Sequence, residues 1–332
     1  MEKSEPWRQK LARVDFAGAG MLVTAVSVLM FGLDQGVMNS WTSPLTVTML
    51  SAAPVLFVAF LLVETKYAKE PVAPSQVLFE RTSLACLMCN FCSYGTWLAL
   101  IYHLPLYFQA VERLSATEAG MRLLPGIGAL VCGSLFAGLV YCLHQILEGK
   151  RLIMWQVMQR TGRYYALTLC CYIGALLAFV PVILFTGLLS RSHVGIGIGL
   201  ALCGFCTGIG GTSTLVALIS NADPADHGTA IGCMYLFRSL GSTLGISLSA
   251  AVIQQTLRNY LAQGIPKDLD VDAITRGVLR DIDYVETLPL AVRVVIRGCY
   301  EKATRWSFVG NAVLVAGAVV AAAWVRERRI GR

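Results

Sequence analysis

The sequence predicts an all-α polytopic membrane protein with eight transmembrane helices, and three observations carry that prediction. Hydrophobic residues make up 56% of the 332 and charged residues only 14%, against about 25% charged in soluble domains. Eight apolar runs each reach the ~20 residues that a bilayer crossing needs. Lys and Arg concentrate in alternate gaps between those runs, as expected where cytosolic loops carry the positive charge. The mean hydropathy of +0.63 agrees.

The runs occupy 14–33, 44–63, 83–109, 119–139, 165–189, 194–220, 228–254 and 306–325. The tail at 1–13 carries Lys3, Arg8, Lys10 and Arg13; the gap at 64–82 carries Lys66, Lys69 and Arg81. The gap at 140–164 carries Lys150, Arg151, Arg160 and Arg163, and the tail at 326–332 carries Arg326, Arg328, Arg329 and Arg332. With alternating spans these all lie on one side, so both tails are expected in the cytosol. The net charge of +7 is then a topology signal rather than a nucleic-acid footprint. The first 15 residues lack an apolar signal region with a cleavage site, so the first span is expected to act as its own uncleaved signal.

The stretch 255–305 reads as a long non-cytosolic loop. It holds eight basic and seven acidic residues, and a long segment crosses with little regard to charge. Asp268, Asp270 and Asp272 resemble the start of a calcium loop, but the glycine and closing glutamate are absent at the required spacing. The apolar pattern of 288–306 predicts an amphipathic helix lying at the interface.

The span 228–254 is the one around which the others are organised. Arg238 sits about 15 Å into it at a ~1.5 Å rise per residue, near mid-membrane. A cation at that depth costs at least ~2.5–3.5 kcal/mol and normally faces protein or a wet cavity. Gly241 and Gly245 give the same helix a small-residue contact face, and Gly204 and Gly208 do so for the span at 194–220. Arg238 is therefore a candidate for lining a solute path, with pairing to backbone carbonyls as the structural alternative. Asn90 and Tyr94 lie four apart on one helix face; they either line a polar path or bond neighbouring helices. Tyr102, Tyr107 and Phe108 fit an interfacial aromatic belt, and His103 among them either titrates near neutral pH or has an interfacial structural role. Pro105 is expected to bend or end its helix.

Enzyme signatures do not survive inspection. Cys86-x-x-Cys89-x-x-Cys92 and Cys203-x-x-Cys206 have metal-like or redox-like spacing, but they lie in apolar runs where cysteine packs as a small hydrophobe. The glycines between Gly195 and Gly211 lack the strand and the Lys-Ser/Thr of a phosphate loop. No catalytic residue, cofactor or metal is expected.

A family resemblance follows from several motifs. They are Tyr102-His-Leu-Pro-Leu-Tyr-Phe-Gln-Ala-Val, Ser115-Ala-x-x-Ala-Gly, Leu124-Pro, Arg160-Thr-Gly-Arg-Tyr, Val216-Ala-Leu-Ile-Ser and Tyr235-Leu-Phe-Arg-Ser-Leu-Gly-Ser-x-Leu-Gly. Together they resemble the C-terminal part of major facilitator transporters. The branch resembled is that of the fungal fourteen-spanner drug:proton antiporters, which includes vacuolar basic amino acid transporters. On this resemblance 14–63 are two linker helices and 83–325 a six-helix C-terminal half. Gly138, Arg160, Gly162 and Arg163 match the family's cytosolic gating loop. Removing 140–156 restores that motif's spacing, so this stretch is expected to be an insertion such as a retained intron.

The resemblance implies a secondary active transporter that exports or sequesters small organic or cationic solutes, such as drugs or basic amino acids. It would work by proton-coupled alternating access in the vacuolar or plasma membrane. The expected partners are the bilayer, a small-molecule substrate, protons and an N-terminal transporter half not present in this sequence. The alternative is a truncated, non-transporting fragment that binds or scaffolds other membrane proteins.

Overall fold

The computed structural model describes residues 16–38, 41–66, 80–146, 164–222, 226–264, 274, 277, 284–285 and 288–325. Among these the chain is helical almost throughout, because a backbone in hydrocarbon has to satisfy its N–H and C=O groups within its own segment. The helices are α1 (Phe16–Met38), α2 (Pro44–Lys66), α3 (Arg81–Glu112), the short α4 (Ala116–Met121), α5 (Leu124–Ile146), α6 (Tyr164–Phe185), α7 (His193–Asn221), α8 (His227–Gly264) and α9 (Leu290–Trp324). Eight candidate spans are long and apolar enough to cross a membrane, α4 and α5 counting as one.

Several boundaries differ from the sequence reading. α3 runs straight through Pro105, since neighbouring helices in a bundle can tolerate the lost backbone donor. It ends at Arg113, which adopts a left-handed conformation with φ 61° and turns its N–H back to Phe108 O. The expected fourth span is broken between α4 and α5. Ser115 and Glu118 form a reciprocal capping box that starts a separate short helix there.

The stretch 255–305 is helical at both ends. α8 continues to Gly264, and the expected interfacial helix at 288–306 is continuous with the last span as α9. At ~1.5 Å per residue, α8 and α9 exceed a ~30 Å hydrocarbon core by many ångströms. Their overhangs pack on each other, and Leu257, Leu261, Val292 and Ile296 are buried there with Ile274 and Val285. α5 extends to Ile146, through the first residues of the expected insertion. The remainder of 140–156, both tails (1–13 and 326–332), Arg160, Gly162 and Arg163 lie outside the described residues.

The packing of α3–α9 has an internal two-fold pattern. α3 packs on α8 and α9, and α7 packs on α5 and α6, while α3 and α7 also meet each other. Three helices starting with α3 and three starting with α7 therefore exchange equivalent contacts. α3 and α7 begin at opposite ends of the bundle, which is the inverted-repeat logic of transporter halves. α1 and α2 pair together, and α1 leans on α8.

Glycines make both equivalent contacts possible. A Cβ on Gly241 or Gly245 would meet the carbonyls of Phe91 or Gly95, and one on Gly204 or Gly208 those of Gly126 or Leu130. Backbones this close gain dispersion and weak C–H···O contacts, which hold membrane helices together where hydrophobicity does not.

Candidate functional site

Between α5 and α8, with α3 as its floor, lies an open groove of about 460 Å³. Tyr94, Trp97 and Leu98 of α3 form the base, Leu130 of α5 one side, and Tyr235, Arg238, Ser239, Ser242 and Thr243 of α8 the other. Its volume lies within the range of ~300–1,000 Å³ typical of small-molecule pockets.

The Arg238 guanidinium lies over the Tyr94 ring, 3.3 Å from the centroid, and 5.7 Å from the Tyr235 centroid. Tyr235 and Arg238 are three apart on α8 and so share its face. Tyr94 reaches the guanidinium because Gly95, the next residue, lets α3 approach α8; a Cβ there would lie 2.6 Å from Gly241 O. The far end of Tyr94 rests on Gly211 of α7, where a Cβ would meet its hydroxyl at 2.7 Å. A cation over an aromatic face gains ~0.5–2 kcal/mol, the upper figure where water is excluded. No carboxylate among the described residues pairs with Arg238. Two of the groove hydroxyls are occupied locally: Ser242 Oγ donates to Arg238 O at 2.7 Å and Thr243 Oγ1 to Ser239 O at 2.8 Å.

The three path candidates therefore separate. Tyr94 and Arg238 meet in the groove. Asn90 does not line it; it is fully buried between helices, its Nδ2 donating to Thr214 Oγ1 at 2.8 Å and to Cys86 O at 2.9 Å. Nearby, Thr168 Oγ1 donates to Ser213 Oγ at 2.9 Å, tying α6 to α7. A second buried polar set joins α8 and α9, where Ser249 Oγ donates to Asn311 Oδ1 at 2.9 Å. Such bonds contribute ~0.6–2 kcal/mol each in a membrane. His103 is buried, with Nε2 3.2 Å from Ile246 O on α8; of the expected aromatic belt Tyr107 and Phe108 are buried among the helices as well, and Tyr102 alone of the three is exposed. Gly138 sits on an exposed face of α5 with open space beside it.

Sequence reasoning missed two ionic clusters at the end of the bundle where α3 stops. Glu112 pairs with Arg122 at 3.0 Å and with His193 Nδ1 at 2.9 Å, and Arg122 also contacts His193 and covers the Phe108 ring. Glu301 of α9 accepts from Arg191 at 2.5 Å and from Arg305 at 3.0 Å. Gly187 makes room for Glu301: its φ is +89°, and a Cβ there would strike the Glu301 carboxylate. Only Glu301–Arg305 has a local sequence signal, the i,i+4 spacing. The other partners are more distant in the chain and converge only through helix packing.

Fold and groove together define a polytopic helical membrane protein built like part of a major facilitator transporter. Its architecture matches that of a bacterial homologue of the human lysosomal transporter Spinster, crystallised inward-facing and occupied. The TM-score is 0.53 over 89% of this chain and 62% of that one, at 13% identity. In sequence the chain is 31% identical over 306 residues to the multidrug resistance protein fnx1 of Schizosaccharomyces pombe, covering 92% of this chain and 54% of the relative. It is 29% identical over 327 residues to the vacuolar membrane amino acid uptake transporter fnx2 of the same yeast, covering 97% and 52%. The chain is thus related to fungal major facilitator transporters of the multidrug and vacuolar amino acid group. It spans about half the length of the curated relatives it matches. No family model matches the chain.

Proposed function

We propose that this chain forms one wall of a secondary transporter that moves small organic solutes across a fungal vacuolar membrane by alternating access. The observation that carries the reading is the groove holding Arg238 at membrane depth, on a bundle with internal two-fold packing and transporter relatives. Transporters of this architecture place substrate at mid-membrane between two pseudo-symmetric halves and rock one against the other. Drug-like molecules and amino acids are the solute classes that the relatives' names favour. A second wall would come from a further transporter half. Coupling to protons would need a titratable group on that half, because no carboxylate lines the groove among the described residues.

Vacuolar vesicles from yeast expressing the chain together with the part of fnx1 that the chain does not match, as the second wall, provide the test. ATP-dependent accumulation of radiolabelled lysine or of ethidium, collapsed by an uncoupler and above that of vesicles lacking the chain, supports transport. Accumulation equal to the control for a chain shown to be present would overturn it. The chain would then fit the second reading, a non-transporting protein that binds or scaffolds other membrane proteins.

A further inference from the structure

We propose that the Arg238 guanidinium receives the carboxylate of the transported solute, while the solute's apolar part lies against Trp97, Leu98 and Leu130. This rests on the groove being a solute path and narrows its substrate class to small carboxylates, zwitterions included.

The first support is charge accounting. Arg122, Arg191 and Arg305, at the end of the bundle, each reach a carboxylate within 3.0 Å. Arg238, deeper in the membrane, reaches two aromatic faces and no carboxylate among the described residues. A ring face compensates part of the charge but accepts few of the five N–H bonds that a guanidinium can donate.

The second support is shape. The guanidinium carbon lies 3.3 Å from the Tyr94 centroid and Arg238 lines the groove, and a guanidinium held on a ring face can match a carboxylate with two parallel bonds. Ser242 and Thr243 spend their hydroxyl protons on α8 carbonyls, so they do not compete as donors. Across from this single cation the groove is walled by Trp97, Leu98 and Leu130, and its lining is mostly apolar. One fixed charge facing an apolar wall suits an amphipathic acid. An anionic lipid headgroup carries the same kind of charge and could reach a groove open to the bilayer, so the test separates the two.

The full chain is reconstituted in nanodiscs of neutral phosphatidylcholine, and phenylacetate is titrated against its neutral isostere phenylacetamide by equilibrium dialysis. The expected result is tighter binding of the acid by about ten- to a hundredfold, the range for a hydrogen bond to a charged group. Arg238→Gln is expected to abolish this preference, and Arg238→Lys to keep part of it. Equal affinities for acid and amide in the unmodified chain, or no binding of the acid, overturn the proposal without recourse to any variant. A preference that survives in Arg238→Gln overturns it too. Repeating the titration in phosphatidylglycerol nanodiscs separates the sources: retained acid binding supports a soluble solute, and lost binding assigns the cation to lipid and overturns the proposal. Binding is read without flux, so acid preference with no vesicle accumulation leaves the site standing and removes the transport reading. Accumulation without acid preference does the reverse.

Discussion

Gly241 and Gly245 of α8 face the carbonyls of Phe91 and Gly95, so a side chain at either position has to push backbone rather than swing a flexible group aside. Gly241→Val is expected to cost at least ~1–3 kcal/mol, the usual penalty for overpacking, read as a lower melting temperature and broader gel filtration in detergent. Gly232, on the same helix, has open space where a Cβ would stand, with nothing within 4 Å. Gly232→Ala is expected to be neutral or stabilising by up to ~1 kcal/mol. Equal melting temperatures for the two variants would refute the close-contact account. Asn90 makes the same point for polar groups. Asn90→Ala removes the bond to Thr214 across α3 and α7 and leaves the threonine one partner fewer. A loss of ~0.6–2 kcal/mol is expected, with acid binding in the groove unchanged because Asn90 does not line it. These roles were only half legible. Sequence spacing put Asn90 and Tyr94 on one helix face, but the neighbour that each meets depends on how α7 and α8 approach α3.

At the scale of elements, the connection from α3 to α4 combines strain with compensation. Arg113 holds a left-handed φ of 61°, which costs a residue with a Cβ about 1–2 kcal/mol. The Ser115–Glu118 capping box two residues later satisfies the next helix's free N–H groups. Arg113→Gly is expected to raise stability by about 1 kcal/mol and Ser115→Ala to lower it by ~0.5–2 kcal/mol, both measurable by thermal denaturation in one detergent. At the junction of α6, α7 and α9, Glu301 is the shared acceptor of Arg191 and Arg305. Glu301→Gln leaves two partly solvated cations around a neutral amide, and losing hydrogen bonds to a charged group is expected to cost ~1.5–3 kcal/mol. Arg191→Ala, at a largely exposed side chain, is expected to cost less than ~1 kcal/mol. A smaller loss for Glu301→Gln than for Arg191→Ala would show that the cluster does not hold these helices. Helix existence here was readable from apolar runs. The break between α4 and α5 and the merging of 288–306 into α9 were not, because both depend on where each chain segment packs.

On the scale of the whole molecule, the eight candidate spans among the described residues would return the chain to the side on which it starts. Tags placed on both tails are therefore expected to show the same protease or impermeant-label accessibility in sealed vesicles, with the cytosolic side favoured by the Lys and Arg distribution. Opposite accessibility would remove one span from the count. The two-fold pattern of α3–α9 has a further consequence at this scale. Equivalent glycine seams join α3 to α8 and α5 to α7, leaving α5 and α8 as separate rims with the groove between them. A pocket bounded by two rims that pack on different partners can widen or narrow as those pairs tilt, which suits a rocking mechanism.

Composition and local pattern were enough to set the class of protein, the number of candidate spans and the presence of a cation inside one of them. Each of these is local, since the bilayer rewards apolar length and penalises charge wherever they occur in the chain. What surrounds that cation was decided by the packed bundle. Tyr94 and Tyr235 cover Arg238, Asn90 turns away to Thr214, and Glu112 and Glu301 gather their cations from distant helices. Those partners are set by backbone approach distances at glycine seams and by the tilt of whole helices, which no window of sequence contains.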